Sequence, residues 1–277
     1  MHGPPADILN AWALSVDHLV ADTGHARVWK VRTDDGRSAA LKLYRRPDRG
    51  NESAGTRLLQ MWQSTGAVEI LAETETAILM KWLDGLSLGD IARGGEPDKA
   101  LHIFAETAAR AHEIAVPKCA AWKPLTEVFQ PLFACQFSGD CPPALKSNVI
   151  RACDLARHLL DSQTEVVPLH GDLHPDNVIL TGAGPRVIDA KGYVGDKAFE
   201  LANALRHPKG MPDLVRHTDQ IENCLTLYSD TLNVSRSRLA QWAAAKCALS
   251  IFWRGHGVIG TDREADLLAK FLEIADQ

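Results

Sequence analysis

The sequence predicts an α+β chain in two lobes, a small β-rich one over residues 1–83 and a larger, mainly helical one over residues 84–277. Three observations predict it. Strand-type alternation and turn-forming sequences crowd the first eighty residues, and apolar residues recur at helical spacing from Leu86 onward. The strand-like runs in that second part flank a single polar loop, L-H-G-D-L-H-P-D-N-V-I-L at 169–180.

After a short apolar segment around Ile8–Trp12, L-S-V-D-H-L-V-A (14–21) and A-R-V-W-K-V-R (26–32) alternate or cluster apolar residues on either side of the turn-forming D-T-G-H. D-D-G-R at 34–37 marks a hairpin, because Asp-Gly accepts the positive φ that such turns need. S-A-A-L-K-L-Y (38–44) follows as the third strand. Residues 51–64 place Leu58, Leu59 and Trp62 on one side of a helix. A-V-E-I-L-A (67–72) and T-A-I-L-M-K-W (76–82) complete a small sheet, and a link near Trp82–Gly85 joins the lobes. Beyond it, Pro97 stands at the first position of a helix running through A-L-H-I-F-A-E-T-A-A-R-A-H-E-I. Further helices are predicted near 124–134, 143–162, 211–230, 236–254 and 262–275, interrupted by two short strands, V-I-L (178–180) and R-V-I-D (186–189).

With 277 residues, 45% hydrophobic and 23% charged, the chain has ordinary globular composition and length for a large core. The opening M-H-G-P-P-A-D has neither a basic start nor an apolar run, and no window approaches the roughly 18 consecutive apolar residues of a membrane span. A soluble, unprocessed, cytoplasmic protein without a membrane partner is expected, as a monomer or homodimer. Six scattered cysteines (Cys119, Cys135, Cys141, Cys153, Cys224, Cys247) form no C-x-x-C pair, so buried free thiols are expected rather than a zinc or redox motif. The net charge of −5 and the lack of a basic block argue against nucleic acid. Most of the acidic excess falls after residue 85, which suits a cationic partner and a solvated acidic surface equally.

Phosphoryl transfer needs cations on the phosphates, a carboxylate near the accepting hydroxyl, oxygen ligands for magnesium and a fixed geometry joining them. The sequence has a residue for each need. In kinase catalytic loops an aspartate precedes a metal-binding asparagine by five positions, and here Asp172 precedes Asn177 by five. The turn T-G-A-G-P and the strand after it can return Asp189 beside Asn177, so that a carboxylate and an amide oxygen meet one hard cation; magnesium is the implied metal. Asp172 would orient the substrate hydroxyl and accept its proton late. His170 and His174 are expected to bond the loop backbone rather than do chemistry, Asp176 is either a supporting or a turn residue, and Pro175 stiffens the loop. Lys42, on the third strand in A-A-L-K, is the cation for the phosphates. Glu52, at the start of the first long helix, is its expected partner or else a first-turn acid facing the helix dipole.

H-G-D-L-H-P-D-N followed by V-I-D-A-K-G-Y-V-G-D-K-A-F-E-L-A-N resembles the aminoglycoside phosphotransferase branch of the protein-kinase-like fold. Within that branch the likeness is to the aminoglycoside/hydroxyurea antibiotic resistance kinases, which include streptomycin 6-phosphotransferases. It extends upstream through A-D-T-G-H-A-R-V-W-K-V, A-L-K and N-E-S-A-G-T-R-L-L and so runs from about Val16 to Arg254. The resemblance implies ATP and Mg2+ as cofactors and a small hydroxylated substrate. It also implies Asp172 as the catalytic aspartate, Asn177 and Asp189 as magnesium ligands, and Lys42 with Glu52 as the phosphate-holding pair. M-K-W-L at 80–83 would be the hinge that reads adenine through the main chain of Lys81 and Leu83. D-T-G-H-A has one glycine where protein kinases have three, leaving Thr23 and Gly24 to cover phosphates through a shorter turn. D-A-K-G replaces D-F-G and no A-P-E motif follows, so a peptide-docking activation segment is not expected.

For a polycationic acceptor, Asp196, Glu200, Asp213 and Glu222 are available as acids, with surface charge as the alternative for each. Trp242 and Trp253 are expected in the core, with an apolar pocket wall as the alternative. Three rival functions remain. A metal-dependent hydrolase would use His170, Asp172 and His174, but no dense histidine motif follows downstream. A nucleotide-binding pseudokinase would lack some of the residue types that are all present here. A metabolite kinase for choline, a sugar or an amino alcohol would share the phosphate machinery and differ only in its acceptor pocket.

Overall fold

The computed structural model describes residues 3–46, 49, 50, 52–113 and 122–277. The chain opens with α1 (Ala6–Ala11), then β1 (Ser15–Asp22), β2 (Ala26–Arg32) and β3 (Ser38–Tyr44). Helix α2 (Glu52–Trp62) precedes β4 (Ile70–Glu73) and β5 (Ala77–Lys81), and the five strands form one antiparallel sheet in the order β1-β2-β3-β5-β4. Side chains alternate across a sheet, and the register Trp29↔Leu41↔Leu79 puts these three on one face, with Val31 and Ala39, beneath Ile8 and Leu9 of α1 and Trp12 just after it. The adjacent row, Val28↔Lys42↔Ile78, necessarily faces the other way, into the interlobe cleft.

The helical lobe begins with β6 (Gly85–Ser87), α3 (Leu88–Arg93) and α4 (Pro97–Ala111). Ser87 caps α3, its hydroxyl accepting from the Asp90 amide at 2.9 Å. β7 (Lys123–Pro124), α5 (Leu125–Phe129), β8 (Gln136–Phe137) and α6 (Pro143–Asp161) lead to β9 (Val166–Leu169), which enters the polar loop. β10 (Val178–Thr181), β11 (Gly184–Val187) and β12 (Tyr193–Asp196) follow, then α7 (Pro212–Arg216), α8 (Thr218–Leu232), α9 (Arg236–Arg254), β13 (Val258–Ile259) and α10 (Ala265–Ala275). α9 is buried along most of its length, from Leu239 to Ile251, and forms the axis against which α6, α8 and α10 pack. No helix among the described residues is long and apolar enough to cross a membrane.

Two expectations need correction. The helix predicted near 211–230 is two helices, broken where His217 adopts an extended conformation (φ −69°, ψ 126°). The polar loop is bracketed not only by β10 and β11 but also by β9, which pairs antiparallel with β12. Both are four-residue strands, too short to show a period, and each contains a strand-disfavoured residue, Pro168 or Gly195. Of the cysteines, Cys153, Cys224 and Cys247 are buried free thiols, Cys135 and Cys141 are free and half-buried, and Cys119 lies outside the described residues.

The lobes meet at two glycines. A Cβ on Gly55 of α2 would lie 1.7 Å from the Ala190 carbonyl oxygen, and one on Gly192, at φ +68°, would lie 2.4 Å from the Ala54 carbonyl carbon. Gly55→Ala must therefore push α2 off the 189–192 segment, at an expected cost of about 1–3 kcal/mol, whereas Gly139→Ala, with nothing within 4 Å, should be close to neutral. Urea unfolding of the two variants checks this; equal stabilities would contradict the packing.

Candidate active site

The loop between β9 and β10 has few apolar side chains of its own, and hydrogen bonds hold it. Glu200, fully buried, accepts from the main-chain amides of His170 (2.8 Å) and Gly171 (3.2 Å) and pairs with His112 at 2.9 Å. Burial pushes the Glu200 carboxyl up, but His112 and the amide of His170 outweigh it and keep it below its ordinary range. The amide of Asp172 donates to His170 Nδ1 (3.2 Å), so His170 carries its proton on Nε2 and donates it to the Ile188 carbonyl at 2.8 Å. His170 is thus a structural clamp, as expected.

His174 does not meet the expectation: among the described residues its ring makes no hydrogen bond to the loop backbone, and its Nδ1 lies 3.5 Å from Asp176 Oδ2. Its ring stacks on His207 with centroids 3.8 Å apart and planes within 13°. Asp176 accepts from Arg93 (2.7 Å) and from the Lys209 amide (3.3 Å). His174, Asp176 and His207 lie close enough to suggest a metal site. Near-parallel rings, however, point their in-plane lone pairs side by side rather than at one point, and Arg93 already neutralises Asp176. The arrangement required for a hydrolase, with His170 and His174 facing one metal beside Asp172, is not formed, because His170 is spent on Ile188.

Asp172 sits at the mouth of this loop. Its Oδ1 accepts from Asn203 Nδ2 at 2.9 Å, and its main-chain carbonyl accepts from Asn177 Nδ2 at 3.0 Å. Oδ2 makes no hydrogen bond among the described residues. The β10–β11 hairpin pairs Val178 with Val187, and the Ile188 amide donates to the Asn177 carbonyl at 3.0 Å, so Asn177 and Asp189 emerge at the same end. Asp189 takes a left-handed conformation (φ +61°), uncommon for a side-chain-bearing residue and typical of functional positions.

Across the cleft, Lys42 Nζ lies 2.5 Å from Asp189 Oδ1 and is ion-paired with Glu52 Oε2. Lys191 approaches the same acids from their other oxygens, 3.2 Å from Glu52 Oε1 and 3.5 Å from Asp189 Oδ2. Burial alone would lower the Lys42 ammonium and raise the Asp189 carboxyl. The opposite charges dominate, so Lys42 titrates above its ordinary range and Asp189 well below it. Both Asp189 and Asn177 present hard oxygen donors, the chemistry that magnesium requires.

These residues line a cavity of about 560 Å³ whose walls include Thr23, Lys42, Glu52, Lys81, Leu83, Asn177, Asp189 and Lys191. The Thr23 hydroxyl closes its own turn, accepting from the Ala26 amide (3.1 Å) and donating to the Ala26 carbonyl (2.9 Å). Gly24 is not on the cavity wall; His25 is. Of the two hinge residues, Lys81 spends its amide on the Glu69 carbonyl at 2.9 Å, while Leu83 lies past the end of β5.

Burial decides against two of the four candidate acids. Asp196 is buried, ion-paired with Arg238 and capping the Ala198 amide at 2.9 Å, and Glu200 anchors the loop, so neither is free to meet a cation. Glu222 is paired with Arg236, and Asp213 is exposed. Trp242 is in the core, but Trp253 is 42% exposed, its ring under Lys246 Nζ at 4.8 Å. Lys191 and Asn203 were not anticipated. D-A-K-G and F-E-L-A-N hold them in plain view, yet neither has a local pattern that predicts its contacts.

Two histidines, His170 buried and His207 half-buried, give the site a pH signature. Burial pushes His170 below its ordinary 6.5, and burial with the neighbouring His174 pushes His207 well below it. The unfolded chain takes up protons near pH 6.5 that the folded chain refuses, so stability should fall as pH drops from about 7 to 5. The depressed carboxyls of Glu200 and Asp189 contribute their stability above about 4.5 and are unchanged in this window. Urea unfolding at both pH values checks the sign; constant or rising stability towards pH 5 would contradict it.

Comparison with known proteins bears on this geometry. The streptomycin 3''-kinase of Klebsiella pneumoniae is 35% identical over 251 residues, 88% of this chain and 90% of that protein. The streptomycin 6-kinase of Streptomyces glaucescens is 26% identical, covering 89% of this chain and 80% of that one. Among solved structures, LicA, a choline kinase of Streptococcus pneumoniae, superposes in its AMP complex with a TM-score of 0.64 at 15% identity, over 98% of this chain and 96% of that one. The sequence profile of one kinase family matches residues 11–257. The chain is a small-molecule phosphotransferase of protein-kinase-like fold and belongs to the aminoglycoside/hydroxyurea antibiotic resistance kinase family.

Proposed function

We propose that the protein transfers the γ-phosphoryl group of ATP, with magnesium, to a hydroxyl of a streptomycin-like aminoglycoside. The observation that carries this reading is the convergence on one cleft of Lys42, Glu52, Asn177 and Asp189, with Asp172 bonded to Asn177 through its main-chain carbonyl, in a chain 35% identical to a streptomycin kinase. Of the two positions phosphorylated by the relatives, the 3'' hydroxyl is favoured by the higher identity. The acidic net charge suits a cationic acceptor, and hydroxyurea is the second acceptor named by the family.

On this reading Lys42, kept charged by its acidic partners, holds the nucleotide phosphates, and Glu52 orients Lys42. Lys191 balances the remaining charge, and the main chain at Leu83 reads the base. The short turn through Gly24 would cover the phosphates with Thr23 and His25, the two of its residues that line the cavity. Asn177 and Asp189 would hold magnesium, which when bound neutralises charge on the β- and γ-phosphate oxygens. Asp172 Oδ2 receives the acceptor hydroxyl. A bond forms between the acceptor's hydroxyl oxygen and the γ-phosphorus as the bond to the β,γ-bridging oxygen breaks, ADP leaves, and the hydroxyl proton passes late to Asp172. The reaction suits a cytoplasmic enzyme acting as a monomer or homodimer.

Asp172→Ala should lower kcat with streptomycin on the order of 10²–10⁴-fold while nucleotide affinity stays close to wild type, and NMR of the product should place the phosphate on the 3'' hydroxyl. Near wild-type turnover by the variant would remove Asp172 from its role. Wild-type turnover with an amino alcohol or sugar but not streptomycin would make the protein a metabolite kinase, and nucleotide binding without turnover on any acceptor would make it an interaction module.

A further inference from the structure

Asp172 is tied to a chain of buried polar groups that reaches the last helix. Asn203 donates to Asp172 Oδ1 and accepts on its own Oδ1 from Arg206 NH1 at 2.7 Å. The same Arg206 nitrogen donates to Ser250 Oγ at 2.7 Å, and the other two donate to Glu264 Oε2 at 3.1 and 2.6 Å. Ser250 also accepts from the buried Lys246 at 3.1 Å, and Glu264 accepts from Arg254 at 2.8 Å. The Arg206 and Glu264 side chains are 6% and 15% exposed, so little water competes with these bonds. Glu264 lies beyond residue 257, where the family match ends.

We infer that Asn203, Arg206 and Glu264 form a positioning relay that decides which oxygen of Asp172 faces the acceptor. The reason lies in the donor inventory. A guanidinium can only donate and an ionised carboxylate can only accept. Arg206 therefore fixes the Asn203 amide with its oxygen turned away from Asp172 and its NH2 towards it. That NH2 occupies Oδ1 and leaves Oδ2 for the substrate hydroxyl. Aspartate at 203 would set two carboxylates against each other, and an apolar residue would strip a buried arginine of one acceptor. Glu264 holds Arg206 along the guanidinium edge, so an acid at the start of α10 sets the rotamer of an aspartate in the catalytic loop. This inference rests on Asp172 being the base in the proposed reaction.

Asn203→Leu, which keeps the volume and removes the bond, and Glu264→Gln, which keeps the shape and removes the charge, separate positioning from mere support. The relay predicts that Asn203→Leu lowers kcat at least about tenfold with the KM for ATP unchanged, as misplacing a catalytic group does. Glu264→Gln should lower kcat by about threefold or more, and the double variant should be no slower than Asn203→Leu alone, because the two act through one path. Losses that multiply, a kcat within twofold of wild type, or a matching rise in KM would overturn it. Turnover is read with whichever acceptor the wild type phosphorylates. A wild type inert towards streptomycin refutes the substrate assignment alone. The relay is then decided by crystal structures of the two variants: an Asp172 carboxylate rotated from its present rotamer supports it, and an unmoved one overturns it.

Discussion

Two lysines and two acids facing one another across the cleft set the terms for the rest of the molecule. Lys42 and Lys191 each touch both Glu52 and Asp189, through opposite oxygens of the two carboxylates. Withdrawing these charges from water is unfavourable, and only their mutual contact offsets it, so none can be moved without leaving another uncompensated. The four groups come from β3, α2 and the segment after β11. The sheet, the helix and the catalytic lobe are consequently tied at one point. The glycines at 55 and 192 follow from this constraint, since α2 must lie against the main chain at Ala190 for Glu52 to reach both lysines.

A site already filled with balanced charges is a site prepared for a charged ligand. Lys42 and Asp189 are kept ionised by each other, so on the proposed reading a magnesium nucleotide would meet groups that need no proton transfer before they bind it. The catalytic loop solves a different problem. Its acids and amides are pinned by Glu200, His170 and Asn203, each of which satisfies a polar group that burial would otherwise leave unpaired. Charge balance organises one wall of the cleft and hydrogen-bond satisfaction the other.

How much of this was legible in the sequence depended on whether a residue's role is set locally. The third strand was legible in S-A-A-L-K-L-Y itself, and strand parity, which is local, turns Lys42 to the face opposite Leu41. The five-residue interval from Asp172 to Asn177 and the short hairpin to Asp189 are local too, and the structure brings these residues together as expected. Lys191 and Asn203 were not anticipated because no spacing rule links Lys191 to Glu52, 139 residues away, or Asn203 to Asp172, 31 residues away. Asp196 and Glu200 were taken as possible surface acids because a sequence shows charge but not burial; each is paired inside the fold. The break at His217 escaped notice because no proline or glycine marks it.

On the proposed reading, Asp189 holds the magnesium that accompanies a nucleotide. Calorimetric titration of ATP into wild type and into Asp189→Asn, each with and without magnesium, tests it most directly. The account predicts that magnesium strengthens binding to wild type severalfold and has little effect on the variant, whose neutral amide is a weaker ligand for a hard cation. An equal magnesium effect in both proteins, or none in wild type, would contradict it.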